Sequence, residues 1–257
     1  MLTGLRSLVR RIAALRDPRP YTLEEWIARH REVVRRDVDR ILPYIPEDGI
    51  FLDVGANVGL FTEAVLEQRP GATAILFEPV ERYHRLCTER LGDRPNVTIH
   101  HLALSDADEE RTIYKPKHNY GGNSVVTEIM FDRREVAEVR PDTVMEEETI
   151  RCRRFEGFSL EHGIDAVDFI KTDTEGFDYA VLRGLLPFLE RTSKLPVILS
   201  ELLEESFHPH GAQQREVVDR IAALGYDPID MSQMRSKVED FLFVPSGHNQ
   251  PAGRREA

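Results

Sequence analysis

Apolar residues between residues 22 and 42 recur at helical spacing behind a helix-start signal. Thr22 is followed three residues later by Glu25, the Ser/Thr-x-x-Glu pattern of a capping box. The apolar positions of this stretch include Trp26, Ile27, Val33, Val34 and Val38. We expect one amphipathic helix that continues to about Leu42.

Residues 1–20 show a second, more basic helical pattern, with five arginines and one acid. A helix of this kind either packs on its own domain or lies on a membrane surface, and its short length favours packing. Within residues 1–20 the arginines interrupt every apolar run. No stretch elsewhere in the sequence reaches the ~20 apolar residues that span a bilayer. We therefore expect no signal peptide and no membrane span.

From residue 50 onward, short apolar runs alternate with amphipathic stretches. The predicted strands cover 50–54, 73–77, 97–101, 167–172, 197–200 and 241–244, and the predicted helices cover 60–68, 80–91, 177–189 and 214–224. This alternation is typical of βαβ units, and it predicts a Rossmann-like, doubly wound α/β fold with a mostly parallel sheet. The last strand follows without a crossover helix, so we expect it to be antiparallel at the sheet edge.

The alternation breaks between about residues 106 and 156, which we interpret as an insertion with short strands at 111–114 and 149–153. Within it, the polar glycine-containing run 119–124 is either a lid over a site or an exposed turn. The expected organisation is a helical N-terminal extension (1–45), a Rossmann-like domain (46–245) and a polar tail (246–257).

Composition narrows the class of protein further. Hydrophobic residues make up 41% and charged residues 31% of the 257 residues, which excludes collagen-like, coiled-coil and fully disordered chains. The formal net charge of −11 disfavours a nucleic-acid partner. Two cysteines are too few for a disulfide framework and lack the spacing of a zinc site, so we expect a cytoplasmic protein.

The most informative segment is the glycine turn after the first predicted strand. Asp53, Gly55, Asn57 and Gly59 lie in a strand–turn–helix segment, where doubly wound sheets bind nucleotides. Glu78 ends the next strand, where a carboxylate can accept hydrogen bonds from both ribose hydroxyls.

Two cofactors compete for this turn. A nicotinamide dinucleotide requires a middle glycine for its pyrophosphate, but Asn57 stands there, and Asp53 would repel the phosphates. S-adenosylmethionine carries an ammonium and a sulfonium but no phosphate, so nearby acids favour it. The sequence therefore favours S-adenosylmethionine, with Ser105 expected near the adenine edge. A turn used only for packing is the simpler alternative.

Four segments in this order resemble the FkbM family of S-adenosylmethionine-dependent methyltransferases. They are residues 53–59 (DVGANVG), 77–79 (FEP), 103–106 (ALSD) and 167–176 (VDFIKTDTEG). The resemblance covers roughly residues 45–205. It implies a class I methyltransferase fold and methylation of oxygen, typically on hydroxyls of polyketides, sugars or glycolipids. We expect acceptor choice to depend on the parts outside the pattern and on the insertion.

Three carboxylates are candidates for the chemistry. Asp173 and Glu175 follow a predicted buried strand at the rim of the sheet, where they would serve the acceptor hydroxyl, although helix capping is the simpler alternative. Glu201 ends the next predicted strand and should lie alongside. Asp173 and Glu201 together are candidate ligands for Mg²⁺. Lys171 is expected to pair with a carboxylate.

The general base is open at this stage. The candidate histidines are His100, His101, His118, His208 and His210. Neither Cys87 nor Cys152 has the surroundings of a nucleophile.

The sequence thus predicts an O-methyltransferase that uses S-adenosylmethionine and acts on a hydroxyl of a small molecule, sugar or natural product. Its partner would be a small-molecule or carbohydrate acceptor, not a nucleic acid. The alternatives are a non-catalytic adenosylmethionine-binding regulator and, less favoured, an NAD-dependent oxidoreductase.

Overall fold

A six-stranded sheet forms the centre of the computed structural model, which describes residues 22–116, 123–126 and 145–248. The strand order is β3-β2-β1-β7-β8-β9, and all neighbours are parallel except β8 and β9. The nine strands are β1 (Ile50–Val54), β2 (Thr73–Phe77), β3 (Val97–His100), β4 (Ala103–Leu104), β5 (Glu109–Pro116), β6 (Met145–Arg153), β7 (Phe169–Thr172), β8 (Val197–Leu203) and β9 (Val238–Phe243).

Six α-helices accompany these strands within the described residues. They are α1 (Leu23–Ile41), α2 (Leu60–Gln68), α3 (Glu81–Leu91), α4 (Phe155–His162), α5 (Asp178–Arg191) and α6 (Gly211–Ala223). The predicted mixed α/β fold with a mostly parallel sheet is confirmed, and so is the antiparallel strand at its edge. None of the described helices is long and apolar enough to cross a bilayer.

The region predicted as an insertion contains a second, three-stranded sheet in the order β4-β6-β5. The short strands expected at 111–114 and 149–153 are longer than predicted, because β5 and β6 pair over eight residues each. Helix α4 was not predicted. Some predictions concern residues outside the described part of the chain: the helix at residues 1–20, His118, most of the run 119–124, and the polar tail from residue 249 onward. The domain boundaries stay a prediction.

Helix α1 begins with the predicted capping box, in which Thr22 and Glu25 each accept a backbone hydrogen bond from the other residue. It lies beside α2 and runs parallel to it. An ion pair joins Arg31 in the middle of α1 to Glu63 in the first turn of α2 (3.3 Å), and Gln68 donates a hydrogen bond to Asp39 (2.8 Å) near the ends of both helices. Because α2 begins at the carboxyl end of β1, the first half of α1 lies at that same rim of the sheet.

Candidate functional site

A cleft opens at the carboxyl ends of β1, β2 and β7, the rim at which open α/β sheets bind ligands. Its floor comes from the turn after β1 and its walls from strand ends, the second sheet and α1. The lining includes Gly55, Asn57, Glu78, Asp173 and Glu175 among the predicted site residues. Five of the predicted residues are thus brought together.

The turn between β1 and α2 depends on glycine at position 55. The backbone φ is +77° at Gly55 and +78° at Gly59, and Asn57 between them also has a positive φ of +51°. A Cβ on Gly55 would lie 2.2 Å from the carbonyl oxygen of Asp173. The turn and the loop after β7 are therefore in direct backbone contact.

All five backbone N–H groups of residues 55–59 donate hydrogen bonds within the protein. Their acceptors are the Phe77 carbonyl for Gly55 and Ala56, the Glu78 carboxylate for Asn57, the Asn57 side chain for Val58 and the Ala56 carbonyl for Gly59. A pyrophosphate is bound at such turns by free backbone N–H groups. This turn offers it none, which counts against a dinucleotide.

Glu78 is buried beside the turn, and its two carboxylate oxygens accept backbone hydrogen bonds. One accepts from the N–H of Asn57 (2.7 Å) and the other from that of Val80 (2.9 Å). Burial raises the pKa of Glu78 to about 7, although these two hydrogen bonds act in the opposite direction. A carboxylate has about four acceptor sites, so each oxygen retains capacity for a ligand hydroxyl.

Lys171 on β7 links the floor of the cleft to the rim. Its ammonium lies 3.2 Å from Asp53 and 3.7 Å from Asp173, and it donates to the carbonyl of Gly55 at 2.9 Å. Burial would lower the pKa of Lys171, but the charges on Asp53 and Asp173 outweigh burial and raise it. The expected pairing of Lys171 with a carboxylate is confirmed, and the lysine stays charged.

The loop after β7 has an unusual backbone that its neighbours hold in place. Glu175 has φ +56° and Gly176 has φ +91°, a region in which glutamate is strained. Ser124 donates to the Glu175 carbonyl (2.8 Å), and His208 bonds the Gly176 carbonyl (2.9 Å). Two independent contacts therefore fix the loop that carries Asp173 and Glu175.

Asp178 closes this loop from its far end. Its carboxylate accepts from the backbone N–H of Thr174 at 3.1 Å and so ties the loop to the first residue of α5. Burial, with the charge on Asp173 as the next cause, raises the pKa of Asp178 to about 6. No side chain caps the described N-terminus of α5, so the capping alternative for Asp173 and Glu175 has no support, and Asp173 is part of the cleft lining.

Four other predicted residues lie outside the described lining of the cleft: Asp53, Gly59, Ser105 and Glu201. Asp53 is fully buried beneath the turn, between Lys171 and the hydroxyl of Thr62. Gly59 packs against α3, where a Cβ would lie 2.6 Å from Leu91. Ser105 is fully buried, and its hydroxyl donates to Asp106.

The prediction that Glu201 ends its strand is wrong. β8 continues to Leu203 because β9 pairs with it beyond Ser200, and Glu201 lies opposite Asp240 inside this ladder. Among residues 22–116, 123–126 and 145–248, no three or more His, Cys, Asp or Glu side chains converge as metal ligands would. The predicted Mg²⁺ site of Asp173 and Glu201 has no support, and Asp173 has the Lys171 ammonium as its cation.

The described histidine candidates for a base are engaged elsewhere. His208 is buried with both ring nitrogens occupied, one by the Gly176 carbonyl and the other by the N–H of His210. Burial lowers the pKa of His208 to about 4, so it is a neutral structural group. His100 stacks on Phe77, and His101 stacks on His84. Their rings are outside the described lining.

Both cysteines are buried. Burial raises the pKa of the Cys152 thiol to about 11 and that of Cys87 higher still. Neutral thiols are poor nucleophiles, in agreement with the sequence.

The sequence analysis missed the contribution of α1 to the cleft. Trp26, His30, Val34 and Asp37 of this helix line it. His30 is 4% exposed and stacks on Trp26 with ring centroids 4.0 Å apart. The sequence did contain a signal for this contribution. Trp26, His30, Val34 and Val38 follow one another at four-residue spacing, which places His30 on the same face of α1 as these apolar residues.

Comparisons with known proteins agree with this geometry. The methyltransferase FkbM domain matches residues 53–228. The chain is 28% identical to the AMB antimetabolite synthetase AmbE of Pseudomonas aeruginosa over 165 residues, which are 55% of this chain and 8% of AmbE. It is 26% identical to the 2-O-methyltransferase NoeI of Sinorhizobium fredii over 67% of this chain and 70% of NoeI.

Among solved structures, the methyltransferase FkbM of Methylobacillus flagellatus KT is similar with 15% identity and a TM-score of 0.44, covering 77% of this chain and 44% of that one. The chain thus spans only part of several of its relatives. The domain match covers more than half of the chain, including the glycine turn, Glu78 and the loop after β7. The chain belongs to the FkbM methyltransferase family.

Proposed function

We propose that this protein is a methyltransferase that uses S-adenosylmethionine and methylates a hydroxyl oxygen of a small molecule, sugar or natural product. The observation that carries the proposal is the turn of residues 55–59, which offers no N–H group to a phosphate and instead presents the buried carboxylate of Glu78. Such a site suits an adenosyl group without phosphates.

The cleft residues fit this cofactor. Glu78 has one further acceptor site on each oxygen for the two ribose hydroxyls, and the excess of carboxylates over cations in the lining as a whole favours a cofactor that carries positive charge. S-adenosylmethionine would supply an electrophilic methyl group on a sulfonium. The protein's own part is to align the acceptor with that group and to receive the proton of the hydroxyl.

Methylation of oxygen rests on family membership and on the name of NoeI as a 2-O-methyltransferase. Asp173 and Glu175 lie at the rim beside the turn, where they would accept hydrogen bonds from acceptor hydroxyls. We assign them to orienting the acceptor.

Calorimetric titration tests the cofactor assignment directly. S-adenosylmethionine and S-adenosylhomocysteine are each expected to bind the purified protein with one site, whereas NADH is expected to give no heat. Binding of NADH alone would contradict the proposal and favour an oxidoreductase. Binding of neither sulfur ligand would mean that the turn serves only packing.

Replacing Asp173 with alanine is expected to lower kcat/KM for the acceptor by about 100-fold or more, because an orienting hydrogen bond is lost. The affinity for S-adenosylmethionine should change little. The fold should tolerate the change, since Lys171 keeps Asp53 as a partner and the repulsion of Asp178 is relieved. Turnover assays and calorimetry on the same preparation measure both quantities. Unchanged turnover in Asp173→Ala would contradict the role of Asp173. If the wild-type protein also shows no turnover, the non-catalytic regulator is favoured instead.

Cofactor affinity is expected to fall as the pH decreases through 7. The pKa of Glu78 is about 7 in the ligand-free protein, and the protonated acid has less negative charge and fewer acceptor sites than the carboxylate. Affinity at pH 6 should therefore be about tenfold weaker than at pH 8. Glu78→Gln should bind S-adenosylmethionine more weakly at both pH values and lose this pH dependence. Because the ligand titrates equally with both proteins, the variant also serves as the control for ionisation of the ligand. An equal slope in both proteins would assign the titration to another group.

A further inference from the structure

One ring nitrogen of His30 lacks a hydrogen-bond partner within the described part of the chain, and the residue lies in the wall of the cleft. Its Nδ1 is 2.5 Å from the backbone carbonyl of Trp26. A carbonyl only accepts hydrogen bonds, so Nδ1 carries the proton and Nε2 presents a lone pair. Nε2 is buried and has no hydrogen-bond partner among the described residues.

A buried acceptor without a donor is left desolvated with no compensating hydrogen bond, so this position is unfavourable unless a donor arrives from the cleft. Burial lowers the pKa of His30, outweighing the bond to Trp26 that acts the other way, and the charge on Arg29 lowers it further. The imidazole is therefore neutral and able to accept a proton at pH 7.

The charges around the cleft restrict what can bring that donor. The described lining contains five carboxylates and one ammonium, namely Asp37, Glu78, Asp173, Glu175, Asp240 and Lys171. The ammonium of Lys171 is already shared between Asp53 and Asp173. Asp37 is itself paired with Arg40 (3.2 Å), but carboxylates still outnumber cations among the lining residues, so the lining disfavours an anionic acceptor relative to a neutral or cationic one.

The lining of the cleft also contains apolar and aromatic side chains. Trp26, Val34, Phe61 and Leu199 line the cleft together with His30. Flat apolar walls of this kind bind a ring or a hydrocarbon segment, while a few polar groups fix its orientation.

We propose that α1 and the sheet rim form the acceptor subsite, which takes an uncharged or cationic hydroxyl compound with an apolar body, and that Nε2 of His30 receives the proton of the methylated hydroxyl. This inference rests on the proposed methyltransferase function and extends it to the acceptor class and the proton acceptor.

The step balances in atoms and charge. The O–H bond of the acceptor breaks and its proton passes to Nε2 of His30. The acceptor oxygen forms a bond to the methyl carbon while the carbon–sulfur bond breaks, and that electron pair remains on sulfur. The positive charge moves from the sulfonium to the imidazolium, which the carboxylates of the lining stabilise.

The test uses the full chain with S-adenosylmethionine and measures release of S-adenosylhomocysteine. The probes are neutral phenyl glycosides of several hexoses, each compared with its 6-phosphate, which keeps the remaining ring hydroxyls. Neutral probes are expected to support release above the rate without acceptor, and the phosphorylated ones are not. Absence of release with every neutral probe, or equal use of a phosphorylated one, would overturn the acceptor class.

Two variants separate the base from packing. His30→Asn keeps a donor for the Trp26 carbonyl but has no atom at Nε2, and His30→Gln places an uncharged amide there. Both are expected to lower kcat about 100-fold or more, with cofactor affinity and thermal midpoint close to wild type. His101→Gln, which changes an exposed ring outside the described lining, is the matched control and should behave as wild type.

The pH profile supplies a readout that packing would not move. With S-adenosylmethionine saturating at every pH, so that titration of Glu78 does not limit the rate, wild-type kcat/KM for the acceptor should fall on the acid side with a slope of one as His30 is protonated, and His30→Gln should lose this limb. Arg29 is the charged neighbour that shifts the pKa of His30. The other charged residues of the cleft lining are Asp37, Glu78, Lys171, Asp173, Glu175 and Asp240, and all of these are retained in the variant. Turnover of both variants within threefold of wild type would overturn the role of His30. If the wild-type protein does not bind S-adenosylmethionine at all, the proposed function itself is contradicted.

Discussion

Replacing Gly55 with alanine is expected to abolish cofactor binding and to lower the free energy of unfolding by about 2–5 kcal/mol. The new Cβ would lie 2.2 Å from the carbonyl oxygen of Asp173, which is backbone and cannot rotate away. The φ of +77° adds about 1–2 kcal/mol for an L-residue, and overpacking adds about 1–3 kcal/mol. The turn and the loop after β7 must separate, so both halves of the cleft change. Denaturant unfolding and calorimetry measure the two effects.

Gly163→Ala is the matched control for this change. Gly163 has a similar φ of +65°, but a Cβ there would meet nothing within 4 Å. Its cost should be only the conformational part, about 1–2 kcal/mol, with cofactor affinity unchanged. If Gly55→Ala costs no more than Gly163→Ala, the close approach of the two loops is not a determinant of the site.

Replacing Lys171 with methionine is expected to lower the free energy of unfolding by about 3–5 kcal/mol, because it leaves the fully buried carboxylate of Asp53 without its cation. Asp173 loses the same ion-pair partner at the rim. Its carboxylate is then no longer held in position, so the turnover of the enzyme should fall as well. Methionine fills a similar volume, which keeps the loss electrostatic. Denaturant unfolding at neutral pH measures it.

Lys194→Met is the surface counterpart. Lys194 also pairs with an aspartate, Asp168, but its side chain is 57% exposed, and such pairs contribute about 0–1 kcal/mol. The double variant Asp53→Asn with Lys171→Met should recover part of the lost stability, because no charge is then left buried beneath the turn. A double variant less stable than Lys171→Met would contradict the electrostatic explanation.

The elements that the sequence predicted well are those with local signals. The turn of residues 55–59 was predictable because glycine residues stand where φ is positive, and the start of α1 because of its capping box. α4 was missed because it is only eight residues long and contains Gly157, which disfavours a helix. Tertiary packing of Phe155 and Phe158 compensates for that weak propensity.

Residues of the site could be predicted from the sequence only where they directly follow a strand, because the strand end then determines where the side chain lies. Glu78 and Asp173 directly follow strands, and the structure places both in the cleft. Glu201 was misplaced because the length of β8 is set by pairing with β9, which is far away in sequence. His30 was missed because a histidine on the buried face of a helix looks the same whether it packs or receives a proton.

The stacking of Trp26 on His30 also gives the molecule a natural optical probe. Trp26 is the single tryptophan of the chain, so all indole fluorescence originates from the wall of the cleft. Protonation of the stacked imidazole quenches that emission, and a ligand that enters the cleft changes its environment. Ionisation of His30 and occupancy of the cleft are therefore both visible in the unlabelled protein, without any assay of turnover.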